Sequence, residues 1–145
     1  MASQTNEKKL KHLEFIQGAI SRMSSNSFKI KGWYITVITA IITLAVETNN
    51  YLYLLVGYIP IILFWGLDSY YLQQERRFTE VYKIVSSESE EEIDFDMNKE
   101  TRGQYILKVA FSKTIWPLYL VPAILFMIIL IVIFILLASG TLLVI

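Results

Sequence analysis

The sequence predicts an all-α integral membrane protein: a short transmembrane hairpin, a C-terminal span and a small cytoplasmic helical layer, with the N-terminus inside. Three observations predict it. Residues 118–137, LYLVPAILFMIILIVIFILL, contain no charge, and about 20 apolar residues match a bilayer core of roughly 30 Å. Two further apolar runs lie side by side in the first half, joined only by ETNN. All 13 lysines and arginines avoid that joint and the C-terminal end, an asymmetry that sets orientation under the positive-inside rule.

Composition agrees. The 145 residues are 54% hydrophobic and 18% charged, with zero formal net charge and a mean hydropathy of +0.48. A soluble domain of this length carries more charge and shorter apolar runs. The absence of cysteine excludes a disulfide scaffold and a thiolate metal site. MASQTNEKKLKHLEF lacks the apolar core of a signal peptide, so no cleavage is expected there.

Residues 1–29 read as a cytoplasmic amphipathic helix. Leu10, Leu13, Ile16, Ile20 and Met23 follow a three-four spacing, with Glu7, Lys11 and Arg22 on other faces. SSNS, Ser24 to Ser27, is expected to end this helix and cap the next. A membrane-surface helix is the alternative for residues 7–23. His12, the single histidine, is expected to be exposed on a basic helix.

Residues 30–67 form the hairpin, with spans from about Ile30 to Val46 and from about Tyr51 to Leu67. Each reaches roughly 26 Å at about 1.5 Å per residue, so flanking residues complete the crossing. Trp33 and Tyr34 at one end, and Tyr51 and Tyr53 at the other, suit the two interfaces. The basic residues before and after the hairpin place the N-terminus and residues 68–115 in the cytoplasm and the C-terminus outside.

Residues 68–115 begin as a helical extension of the second span. Tyr71, Phe78, Val81, Tyr82 and Val85 lie on roughly one face, and the N-terminal stripe is their expected partner. An acidic loop follows: Glu88, Glu90, Glu91, Glu92, Asp94 and Asp96. Like charges at this density make a solvated loop, a divalent-cation site, or a cation-attracting vestibule in an assembly. The loop lacks the glycine and ligand alternation of an EF-hand, which argues against specific calcium binding. IDFDM alternates as a short extended segment would. QYILKVAFSKT then leads, as a helix along the interface, into the C-terminal span, 116–145. Pro117 and Pro122 are expected to end or bend that approach.

No Ser-His-Asp set, HExxH or glycine-rich phosphate loop is present. The cytoplasmic pieces are too small to bury an enzyme core. No enzyme, cofactor or metal centre is expected. On the first span, Gly32, Thr36, Thr39 and Thr43 form a small, hydroxylated stripe ending near Glu47. Such a stripe is a helix-packing seam or the lining of an aqueous path. Three helices enclose no pore, so conduction requires a homo-oligomer. Asp68 at the inner interface is expected to cap, or to pair with Arg76 or Arg77. Asp68, Tyr71, Arg76, Arg77 and Phe78 make a candidate sensor or assembly layer. Arginines beside aromatics hold a nucleotide or single-stranded nucleic acid by charge and stacking.

The segments KHLEFIQGAISRMSSNSFKIKGW, FWGLDSYYLQQERRF, FDMN and FSKTIWPLYL, in this order, resemble the RipA family of octameric bacterial membrane proteins from roughly Lys8 to Leu120. The chain is also loosely similar to the two-span SLATT-type effectors encoded beside nucleotide-signalling enzymes in anti-phage operons. The first resemblance implies an octameric ring in the bacterial inner membrane. The second implies a pore that disrupts the membrane when an operon-encoded signalling enzyme reports infection. Neither family supplies a catalytic residue. The sequence thus carries three functional expectations: a regulated homo-oligomeric channel or pore-forming effector in membrane lipid, a non-conducting scaffolding ring, and an accessory subunit of a larger complex.

Overall fold

The computed structural model describes residues 2–89, 94–101 and 103–139, with side chains from Glu7 onward. The described elements are α1 (Ala2–Glu47), α2 (Tyr53–Val56), α3 (Tyr58–Ser87), α4 (Ile106–Ala110) and α5 (Trp116–Ala138), with no strand among the described residues. Helices within Glu7–Glu47, Tyr53–Ser87 and Trp116–Ala138 are long and apolar enough to cross a membrane.

The 46 residues of α1 extend roughly 69 Å at about 1.5 Å each, more than twice the thickness of a bilayer core. One half must therefore lie outside any bilayer the other half crosses. SSNS was expected to interrupt this helix, yet α1 runs through it unbroken. Serine inside a helix costs only about 0.5 kcal/mol, and packing along α3 outweighs that local preference. The Ser27 hydroxyl, expected to cap, instead donates across to Asp68 on α3.

The buried positions of α1 include His12, Ile16, Ala19, Ser27, Ile30, Tyr34, Ile38 and Ala45. Their spacing follows one helical face, and that face meets α3 in a long antiparallel hairpin. In its polar half Ile16, Val81 and Val85 form a core joined by Leu13, Ile20, Phe78, Tyr82 and Met97. Most of the two expected stripes therefore meet, without Leu10, Met23 and Tyr71. Leu10 is 55% exposed and His12 is fully buried, which overturns the expectation of an exposed histidine.

Asn49, at φ 48°, closes the hairpin turn, and the Leu52 amide donates to the Asn50 side-chain oxygen at 3.1 Å. The second span starts as α2 and restarts as α3 at Gly57. Pro60 explains the restart: it has no N–H for the Val56 carbonyl, and its ring crowds that carbonyl. Gly57 also admits α5, because a Cβ there would sit 2.6 Å from Phe126 Cε2. Beside it the Tyr58 hydroxyl donates to the Ala123 carbonyl at 2.8 Å. Pro122 lies inside α5 without ending it, and Pro117 stands in the first turn of that helix. Tyr119 and Phe126 are the residues of α5 that become buried; most of its other large side chains remain exposed.

Candidate functional site at the polar end of the apolar hairpin

Where the apolar halves of α1 and α3 turn polar, both oxygens of the Asp68 carboxylate are engaged. Ser27 donates to Oδ1, Lys31 Nζ donates to the same oxygen at 2.7 Å, and the Tyr119 hydroxyl donates to Oδ2 at 3.2 Å. Lys31 also donates to the Ser27 hydroxyl at 2.7 Å. The Asp68 side chain has no exposure, whereas Lys31 retains 25%. Helix geometry brings these groups together. Ser27 and Lys31 are one turn apart on α1, and the antiparallel partner presents Asp68 at the same depth. A buried carboxylate persists as a charge only when paired and hydrogen-bonded, and the cluster supplies both. It ties together, at one level, all three helices that are long and apolar enough to span a membrane. Aromatic rings pack beside it, with Tyr34 and Tyr119 centroids 4.6 Å apart and Trp65 stacked on Tyr119 at 6.4 Å.

This overturns the expected partners of Asp68. Arg76 instead donates to the Gln104 side chain at 2.7 Å, and Arg77 donates to Asn98. With Gln73 donating to the Gln104 carbonyl, these bonds tie Asn98 and Gln104 to α3. Both arginines are half-buried, and neither pairs with a carboxylate among the described residues. Phe78 enters the polar-half core, while Tyr71 is half-buried and meets Tyr70 edge-on at 5.4 Å. The sensor-layer residues are thus divided: Asp68 joins the three long apolar helices, Phe78 the polar-half core, and the arginines the ties to Asn98 and Gln104.

The described part of the acidic segment, Glu88 and residues 94–96, packs back on the hairpin rather than standing away from it. Lys99, 13% exposed, pairs with Glu88 and lies 3.4 Å from Asp94. Burial alone would lower the Lys99 pKa, but its hydrogen bond and attraction to Glu88, with Asp94 adding, leave it raised. The Asp96 amide, 3.0 Å from Asp94 Oδ1, and to a smaller extent Lys99, hold the Asp94 carboxyl below the usual range. The Asn98 amide donates to Asp96 at 2.7 Å. Over the described part of IDFDM, from Asp94 onward, two successive side-chain-to-backbone turns stand in place of the extended segment expected there; Ile93 lies outside the described residues. Phe95, at φ 59°, reaches His12 with ring centroids 5.3 Å apart. No group of three metal-ligating side chains occurs among the described residues; Glu90, Glu91 and Glu92 lie outside them.

Gly32, Thr36, Thr39, Thr43 and Glu47 are all exposed. At about 100° per residue, the stripe points roughly 160° away from the α1 face that holds Ser27, Tyr34 and Ile38. None of its residues joins either buried core among the described residues. Thr36 and Thr43 turn their hydroxyls onto the carbonyls one turn earlier, at 3.1 and 3.0 Å.

Lys31 and Tyr119 are the members of this cluster that sequence reasoning missed. A usable signal existed: Lys31 and Asp68 stand nearly the same number of residues from the Asn49 turn, so an antiparallel hairpin must bring them level. No family model matches the chain, and no curated protein or solved structure matches it. What the molecule defines by itself is a helical chain with three potential spans and a buried polar lock between them.

Proposed function

We propose that the chain is a multi-pass protein of the bacterial inner membrane that assembles as a homo-oligomeric channel or pore-forming effector. A cytoplasmic signal such as a nucleotide or oligonucleotide gates it, in anti-phage defence. One observation carries this reading. The small, hydroxylated stripe from Gly32 to Glu47 is exposed and faces away from the chain's own hairpin, so it is free to face an axis shared with other copies. Continuity of α1 and α3 from the apolar half into the polar half supports mechanical coupling, because a shift of the cytoplasmic layer moves the same two rigid helices. Arg76 and Arg77, bonded to neutral groups, retain charge for an anionic ligand. The resemblance to RipA-family rings and SLATT-type effectors agrees with the assembly and the role.

A second reading, a non-conducting scaffold ring, is favoured by the Thr36 and Thr43 hydroxyls, which are satisfied by their own helix and need no water. The test is native mass spectrometry in lipid nanodiscs followed by conductance recordings with and without nucleotides or oligonucleotides. A single closed assembly with ligand-dependent current is the expected result. A closed assembly silent under every ligand selects the scaffold. A monomer overturns both rings.

A further inference from the structure

In the polar half of the hairpin, two exposed faces of α1 carry opposite charge. On one face two open depressions adjoin along the seam with α3, sharing Gln17. The first, about 320 Å³, is lined by residues that include Leu13, Glu14 and Tyr82. The second, nearer the apolar half and about 560 Å³, is lined by residues that include Ser21, Phe28 and Glu75. The two make one groove with a carboxylate in each part. Neither Glu14 nor Glu75 has an ion-pair partner among the described residues.

The other face is a ridge. Phe15 is 59% exposed, and Arg22 is exposed with no ion-pair partner among the described residues. At about 100° per residue, Phe15 and Arg22 share a face that points roughly 130° away from Gln17, Ser21 and Phe28. A chain therefore cannot seat its own ridge in its own groove. A bilayer does not cover the ridge either: at about 1.5 Å per residue, Phe15 stands roughly 24 Å along α1 from Lys31, where the hairpin turns polar.

Height along α1 selects the occupant. Copies inserted the same way in one membrane, and related by an axis along its normal, meet residues of equal height. Phe15 falls within the stretch from Leu13 to Gln17 that borders the first depression. Arg22 falls between Gln17 and Phe28, level with the second. Apolar ring and cation thus arrive together at an apolar wall and a carboxylate. The exposed stripe at Gly32, Thr36 and Thr43 lies roughly midway between ridge and groove around α1, so neighbours docked on both leave it turned towards a shared axis.

We propose that the Phe15–Arg22 ridge of one copy docks in the Glu14–Glu75 groove of the next, Phe15 beside Tyr82 and Arg22 against Glu75. Such a head-to-tail contact closes into a ring when its rotation closes. The inference rests on the homo-oligomer reading and deepens it by naming the surfaces that join the copies.

The test compares masses of the full chain and its variants by native mass spectrometry in lipid nanodiscs. The wild type is expected to give one closed assembly. Arg22→Glu and Glu75→Arg should each lose it, because like charges then face each other, at unchanged helix content by circular dichroism. Arg22→Glu with Glu75→Arg in one chain should regain it, since every contact is again matched; a misfolded variant would not be rescued. Phe15→Asp should also lose it, by setting a carboxylate against Glu14. A closed wild-type assembly whose mass neither single charge reversal changes overturns this interface and leaves the ring standing. Loss in both single variants without recovery in the double overturns the Arg22–Glu75 pairing. A wild-type monomer overturns the homo-oligomer reading itself.

Discussion

At the scale of single residues, the strongest constraint is the asymmetric burial of the Lys31–Asp68 pair. Lys31 keeps a path to solvent and Asp68 has none. Lys31→Met therefore strands a carboxylate, and removing one member of a buried pair costs about 3–5 kcal/mol. Asp68→Asn retains an acceptor for Ser27 and lets the lysine stem reach outward, so a smaller loss of about 1–3 kcal/mol is expected. Lys31→Met with Asp68→Leu should recover most of the stability, because a matched apolar pair replaces the lock. Thermal unfolding in detergent checks the order, and strictly additive losses in the double variant would refute the coupling. His12 predicts the opposite sign. It is fully buried, and neither ring nitrogen has a hydrogen-bond partner among the described residues. His12→Leu should raise stability by about 1 kcal/mol by removing an unpaired polar group, and the same melting experiment reads it. Both residues were legible only in part. Asp68 stood out as a carboxylate at the end of a span, but its partner depends on hairpin register rather than on neighbours in sequence. His12 shared a helix with lysines, and composition alone cannot show which face of that helix is covered.

At the scale of elements, α5 packs through few points, and one of them, at Phe126, depends on Gly57. Gly57→Ala places a methyl against the Phe126 ring, and overpacking of this kind costs about 1–3 kcal/mol. Phe126→Leu should relieve the clash in the double variant while destabilising alone. A Gly57→Ala melting temperature equal to wild type would mean that α5 does not seat there. The long apolar helices, the hairpin and the helical extension past Asp68 were readable because apolar length and three-four spacing report directly on helix and packing face. The helix break expected at Ser24–Ser27 was misplaced for a physical reason. Serine signals a cap only where the backbone ends are unsatisfied, and here a neighbouring helix gives Ser27 another acceptor. The real discontinuity, at Gly57, follows from Pro60, whose effect falls one turn before the proline itself. The acidic segment was read as free chain because charge density argues for solvation. Lys99, Phe95 and Met97 pull the described part of it back onto the hairpin, and such distant contacts leave no local periodicity.

At the scale of the whole molecule, what the spans leave uncovered decides between assemblies. The face of α1 that carries Gly32, Thr36, Thr39 and Thr43 was legible as a stripe, but not as an outward one. Its direction became known only when Tyr34, Ile38 and Ala45 were found on the opposite side against the rest of the chain. Gly32 gives the cleanest probe of that face, because a Cβ at this position meets nothing within 4 Å. Gly32→Leu should thus leave folding of the single chain intact, and any effect it has must arise outside that chain. Three surroundings give three results. In a tight seam between copies, where small residues permit close approach, the added side chain forces helices apart and the assembly loses mass in nanodiscs. Along an aqueous path the assembly keeps its mass while its current falls, since the leucine narrows and dries the lumen. Against lipid, mass and current are both unchanged, because lipid tails accommodate leucine as readily as glycine. The pore reading predicts the second result, with Thr36→Leu reproducing it one turn further along the path. An intact, undiminished current in both variants would place the stripe in lipid and remove it from the conduction path.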